Sequence, residues 1–137
     1  MISFTVPGKP LGKGRPRFSR SSGRVYTPAA TESYEGKVAF FAREAMNGHA
    51  MFEAGTALQV SVVAWFEVPA SWTKRKRADA LEGRLVHTGR PDADNILKIL
   101  GDACNGVLWH DDSAIADARI VKRYGQTAGI SVAVEAL

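Results

Sequence analysis

Cysteine is almost absent. Cys104 stands alone among 137 residues, which excludes an internal disulfide and any cysteine-rich zinc site. Set among Ile96, Leu100 and Ala103, it reads as a buried packing residue, because a free thiol behaves as a small hydrophobe. Histidine is scarce as well, and His49, His87 and His110 follow no ligand spacing. The first two read as surface or packing residues, while His110 matters only because it adjoins Asp111. No apolar run approaches the roughly 20 residues needed to cross a bilayer, and the start, Met1 to Gly8, lacks a charged leader with an apolar core. The expectation is a cytoplasmic protein with no membrane partner and no organic cofactor.

Acid is missing from two stretches. Residues 7–27 contain Lys9, Lys13, Arg15, Arg17, Arg20 and Arg24 and no carboxylate, broken by Gly and Pro in the manner of a loop. Ser71-Trp72-Thr73-Lys74-Arg75-Lys76-Arg77 is the second basic run, in a chain of net charge +4. Such runs neutralise phosphates and release counterions. Lys13, Arg15, Arg17, Arg20, Lys74, Arg75, Lys76 and Arg77 are the candidate nucleic-acid contacts. Phe18, Tyr26 and Trp72 interleave with them as candidate stacking residues, although Tyr26 and Trp72 read better as buried aromatics.

A chain of this length and 45% hydrophobic content suits one domain, residues 1–137. Ile2, Phe4 and Val6 alternate as in a half-buried strand. Thr27-Pro28 predicts a helix start, with Tyr34, Val38, Phe41 and Ala45 at helical spacing until Asn47-Gly48. Residues 57–68 alternate as the strand best suited to the sheet's centre. A short basic helix follows, closed by Gly83. Positions 94–105 separate Asp94, Asn95, Lys98, Asp102 and Asn105 from Ile96, Leu97, Ile99, Leu100, Ala103 and Cys104, an amphipathic helix. Strands at 115–124 and 129–135 close the chain. This order predicts an α+β fold, a two-layer sandwich with helices packed on a mixed β-sheet.

Against that basic background, six of the seven aspartates fall between Asp92 and Asp117. Clustered carboxylates repel one another, so a cation between them explains the cluster, and hard oxygen ligands favour magnesium, with manganese able to substitute. Asp92 and Asp94 at a helix entry, with Asp111 or Asp112 returning after the same helix, are the candidate ligands. Lys98, one turn after Asp94, is the candidate phosphate contact. The plainer reading makes Asp92 an N-cap, Asp94 a partner of the helix dipole, Lys98 a surface ion-pair residue and Asp111-Asp112-Ser113 a turn.

The string Arg90-Pro91-Asp92-Ala93-Asp94-Asn95-Ile96-Leu97-Lys98, then Asp102, Asn105-Gly106-Val107, Trp109 and Asp111-Asp112, resembles the RusA family of Holliday junction resolvases. The likeness extends to Gly14-Arg15-Pro16-Arg17, Tyr26-Thr27-Pro28, Ser71 to Arg77 and Lys122-Arg123-Tyr124-Gly125, in the manner of the phage and prophage branch. The resemblance implies a homodimeric, magnesium-dependent endodeoxyribonuclease working in a bacterial host cell or its nucleoid. It would nick two strands of a four-way DNA junction symmetrically, a metal-activated water attacking the phosphodiester. It places catalytic roles on Asp92, Asp94, Lys98 and Asp112, with metal ligation by the three aspartates and Asp111 the less certain member of its pair. Ala93 stands where relatives often carry Leu, a change expected to affect packing. The competing readings are a non-catalytic branched-DNA binding module and a general magnesium nuclease.

Overall fold

The computed structural model describes residues 1–137. A four-stranded sheet forms from β1 (Ile2–Pro7), β4 (Leu58–Glu67), β5 (Ile115–Gly125) and β6 (Gly129–Ala136), in the order β1-β6-β4-β5. β6 runs antiparallel to both β1 and β4, whereas β5 runs parallel to β4, so the sheet is mixed. The parallel pair needs a crossover. It is supplied by α2 (Lys74–Leu81) and α3 (Ala93–Cys104), which places the acidic motif on the connection between the two strands.

Alternation along β4 turns Leu58, Val60, Val62, Ala64 and Phe66 inward. They join Ile130, Val132 and Val134 of β6 and the apolar stripes of α1 (Ala29–Met46) and α3 in one core. α1 packs on α3 and β1, α3 also meets β5, and α2 lies along β5 at the sheet's margin. The fold is therefore the expected α+β arrangement of helices on a mixed sheet. Cys104 is buried within the core, and desolvation pushes its thiol up to about 12.

Three local details depart from the periodicity. The basic segment contains a small hairpin, β2 (Arg17–Phe18) against β3 (Val25–Tyr26), where a loop is expected; strands of two residues have no alternation to read. α1 begins at Ala29 with Pro28, not Thr27, as its N-cap, since the Pro28 carbonyl accepts the first helical bonds from Thr31 and Glu32. Its buried stripe runs through Ala42 and Met46, while Phe41 and Ala45 are half-buried; with apolar residues at both 41 and 42, helical spacing fits either phase.

Candidate active site

The head of α3 is fixed from two sides. Gly12 of the N-terminal loop approaches so closely that a Cβ there would lie 2.9 Å from the Cβ atoms of both Asn95 and Pro91, and the Lys13 amide donates to the Asn95 carbonyl at 2.9 Å. From the opposite side, half-buried Lys122 of β5 donates to the carbonyls of Gly89 at 2.6 Å and Pro91 at 2.9 Å. Lys122 enters the sequence motif only as part of Lys122-Arg123-Tyr124-Gly125, and nothing in its spacing marks this clamp on the loop delivering Asp92. His87 stacks on Phe66 nearby, with centroids 3.6 Å apart. Burial, then the charges of Lys122 and Lys9, lower its pKa and favour the neutral ring.

The tail of α3 is fixed by Trp109. Its buried indole donates to Asn105 Oδ1 at 2.9 Å, the Gly106 amide donates to the Trp109 carbonyl at 2.8 Å, and Gly106 takes a positive φ of +78°. This tight turn returns the chain alongside the helix it has just left. Asp111 then caps a 3-10 turn (Asp112–Ala114), accepting from the Ser113 amide at 3.0 Å. Hydrogen bonding by Ser113 holds the Asp111 carboxyl below its ordinary value. Asp112 is turned toward the helix, where a Cβ on Gly101 would stand 2.9 Å from its Oδ2. Glycine at 101 is what allows that approach.

The seven aspartates divide by partner. Asp79 pairs with Arg84, Asp102 with Lys13 and Lys98, Asp111 with Ser113, and Asp117 with Gln59. Asp92, Asp94 and Asp112 make no side-chain hydrogen bond and join no ion pair. Asp92 occupies the N-cap position of α3, yet its side chain makes no capping bond. Asp94 and Asp112 line one cavity of about 290 Å³ together with Lys98, Gly101 and Trp109. Asp92 lines a second, basic cavity of about 650 Å³, with Lys9, Lys13, Arg15 and Arg90. No three Asp, Glu, His or Cys side chains converge closely enough to enclose an ion. Helix geometry explains the spread: Asp94 and the Gly101 against which Asp112 rests are separated by about 10 Å of axial rise.

The donor set fits a hard divalent cation. Unpartnered carboxylates that do not converge in threes suit a cation that takes one or two protein oxygens and keeps much of its water. Magnesium is commonly bound that way, by one or two carboxylates and substrate. Asp94 and Asp112, which share a cavity, would hold it, with Asp92 outside that cavity.

The basic residues sort similarly. Arg15, Arg17, Arg20, Lys74 and Arg75 are exposed and lack acidic partners. Arg77 donates to the Pro69 carbonyl, and Lys76 lies over the Trp72 ring at 4.0 Å. Lys13 differs from the expectation of a free phosphate contact. It is half-buried between Glu35 and Asp102, the latter at 3.2 Å. Burial works to lower its pKa, but the two carboxylates outweigh that and hold the ammonium above its ordinary value. Lys98 donates to Asp102 at 3.2 Å, an exposed pair of the kind that contributes only about 0–1 kcal/mol. Trp72 is half-buried against Tyr124, whereas Tyr26, expected to be buried, is exposed because its hairpin stands clear of the main sheet.

Gly101→Ala should displace Asp112. We expect any reaction that uses Asp112 to slow by about 10²-fold, the usual result of an ångström-scale misplacement. Stability should stay within about 1 kcal/mol, because alanine suits a helix interior better than glycine does. Single-turnover rates set beside urea unfolding will decide it, and an unchanged rate would free Asp112 from any positional role.

A family model described as Endodeoxyribonuclease RusA matches residues 7–135. The chain is also 31% identical over 135 residues to an uncharacterized protein of Bacillus subtilis (strain 168), YqaN, with 97% of this chain and 94% of the relative covered.

Proposed function

Because the chain belongs to the RusA family of endodeoxyribonucleases, nucleases that act on branched DNA, we propose that it resolves four-way junctions by paired, symmetric nicks in the presence of magnesium. The observation carrying this reading is that Asp92, Asp94 and Asp112 are left unpartnered while every other aspartate is engaged. A carboxylate that neither caps a helix nor pairs with a cation is free to work on something from outside.

When bound, a divalent ion supplies stabilisation of negative charge at phosphorus and a water acidified for in-line attack. The protein's own part is orientation. Asp94 and Asp112 line the same cavity, so together they fix where positive charge can settle. Lys98, on the rim of that cavity, exchanges its Asp102 contact for a non-bridging phosphate oxygen and meets the charge growing there. Asp92, among Lys9, Arg15 and Arg90, stands where the sugar-phosphate backbone enters. Resolution needs two cuts, and a homodimer related by a twofold axis presents two identical sites to the two strands.

Incubating labelled four-way junctions and linear duplex with magnesium tests the proposal. Cleavage of the junction at symmetry-related positions supports it, and equal cutting of both substrates removes the selectivity. A second reading has a specific observation in its favour, the failure of any three acidic side chains to converge. A non-catalytic junction binder predicts tight binding with no cut strand in magnesium or manganese alike. A general magnesium nuclease predicts flaps and RNA cut as readily as junctions.

Lys98→Ala is expected to slow the single-turnover step by about 10²-fold to 10³-fold, as loss of one preorganised donor does. Its apparent affinity for the divalent ion should not weaken, because Lys98 carries no ligand oxygen and its removal takes a cation from the rim of that cavity. A wild-type rate would return Lys98 to the role of a surface ion-pair residue.

A further inference from the structure

Three of the large hydrophobic side chains that face solvent lie together on the β2–β3 hairpin. Phe18 is 64% exposed, Val25 69% and Tyr26 48%. Phe18 stands opposite Val25 and Tyr26 opposite Arg17, so alternation sends the apolar pair to one face of the hairpin and the tyrosine to the other. Neither strand pairs with the main sheet, and the turn is closed by its own bonds, Ser19 amide to Arg24 carbonyl and Gly23 amide to Ser19 carbonyl, each 2.8 Å. Both faces of this projection are therefore open to a partner.

Charge identifies the partner. Arg15, Arg17, Arg20 and Arg24 are interspersed along the chain with the three apolar residues, none of them in an ion pair, and no acid occurs from residue 7 to residue 27. Two copies of the hairpin laid face to face would bring their arginines together uncompensated, whereas a polyanion neutralises them. Rings and branched side chains amid phosphate-binding arginines suit nucleic acid whose bases are accessible, since every base offers a face for stacking. Entry into intact duplex must first unstack a base step. At a branch point the central steps are already interrupted, so the same side chains enter without that cost.

We infer that the β2–β3 hairpin is a wedge for the open centre of branched DNA, with Phe18 and Tyr26 stacking on bases there and the four arginines holding the flanking phosphates. The hairpin, and not the acidic cavity, then sets the preference for branched over linear DNA. This rests on the junction-acting reading above.

The test uses the full chain with Phe18→Ala and Tyr26→Ala combined, substitutions at solvent-facing positions outside the core. Junction affinity should fall by about 10-fold to 100-fold, the loss expected for removing one or two stacked rings, while affinity for linear duplex changes by no more than about twofold. 2-Aminopurine placed at the crossover, where its stacking is already interrupted, should dim with the wild-type protein as a ring stacks on it and stay bright with the variant. Phe18→Tyr combined with Tyr26→Phe, which keeps both rings, should restore both signals. Equal losses on the two DNAs, or an unchanged junction affinity and 2-aminopurine response, overturns the wedge while leaving junction cleavage standing. A double variant that sediments at lower mass than wild type overturns it in favour of a self-association surface. Wild-type protein with no preference for junctions removes the wedge and the junction-acting reading together.

Discussion

Asp94→Asn is expected to reduce junction cleavage by about 10³-fold or more, the consequence of withdrawing several kcal/mol of transition-state charge stabilisation. Asparagine keeps the shape of the side chain and forfeits its charge. Asp94 has no protein partner, so no ion pair or hydrogen bond within the fold is broken and the folded state should be nearly indifferent. Junction binding should be preserved or tightened by up to about fivefold, since an anion facing phosphate at a solvent-exposed site costs roughly 1 kcal/mol of repulsion. Single-turnover cleavage, read beside an electrophoretic mobility measurement, separates the two effects. If cutting persists at the wild-type rate, Asp94 is not in the site.

Trp109→Ala is expected to cost about 3–5 kcal/mol of stability, against a total of about 5–15 kcal/mol for a domain of this kind. Trp109 is among the largest fully buried side chains, and its removal empties core volume as well as the indole donor that Asn105 accepts. Urea denaturation should show a much lower midpoint, and cleavage should fail in the surviving folded fraction because the return path of Asp112 is undone. Asn105→Ala isolates the polar part. The indole would keep only its longer contact to the Gly101 carbonyl at 3.4 Å, so a loss of about 1 kcal/mol is expected. A wild-type denaturation midpoint for Trp109→Ala would show that the turn holds without its anchor.

Much of the architecture is legible in the residue pattern, and the reasons are local. β4 alternates strictly over ten residues, and α3 segregates polar from apolar positions over twelve, so each declares its type and its inner face. The limits are equally physical. β5 and β6 follow one another in the chain yet are separated in the sheet by β4, a placement set by long-range pairing and not by either strand's own pattern. Lys13 belongs to a run of cations on paper, but Glu35 of α1 and Asp102 of α3 meet it only once those helices pack.

The acidic residues illustrate the same boundary. Composition and spacing single out a carboxylate cluster without saying which members are already engaged. Asp111 and Asp112 are adjacent and chemically identical, and only the turn after Trp109 commits the first to capping and leaves the second against Gly101. Sequence spacing likewise leaves open whether Asp92 and Asp94 converge, whereas the folded chain turns them toward different cavities. The glycines at 12 and 101 are silent in any charge or hydropathy pattern, although each permits an approach that a methyl group would block.

The lone thiol, deep in the core and far from ionising near neutral pH, has a practical side. Maleimides and iodoacetamides react with thiolates, so the native chain should be inert to them. A single cysteine engineered at Ser21, at the solvent-facing tip of the hairpin, would accept a fluorophore or spin label with no background site to remove first.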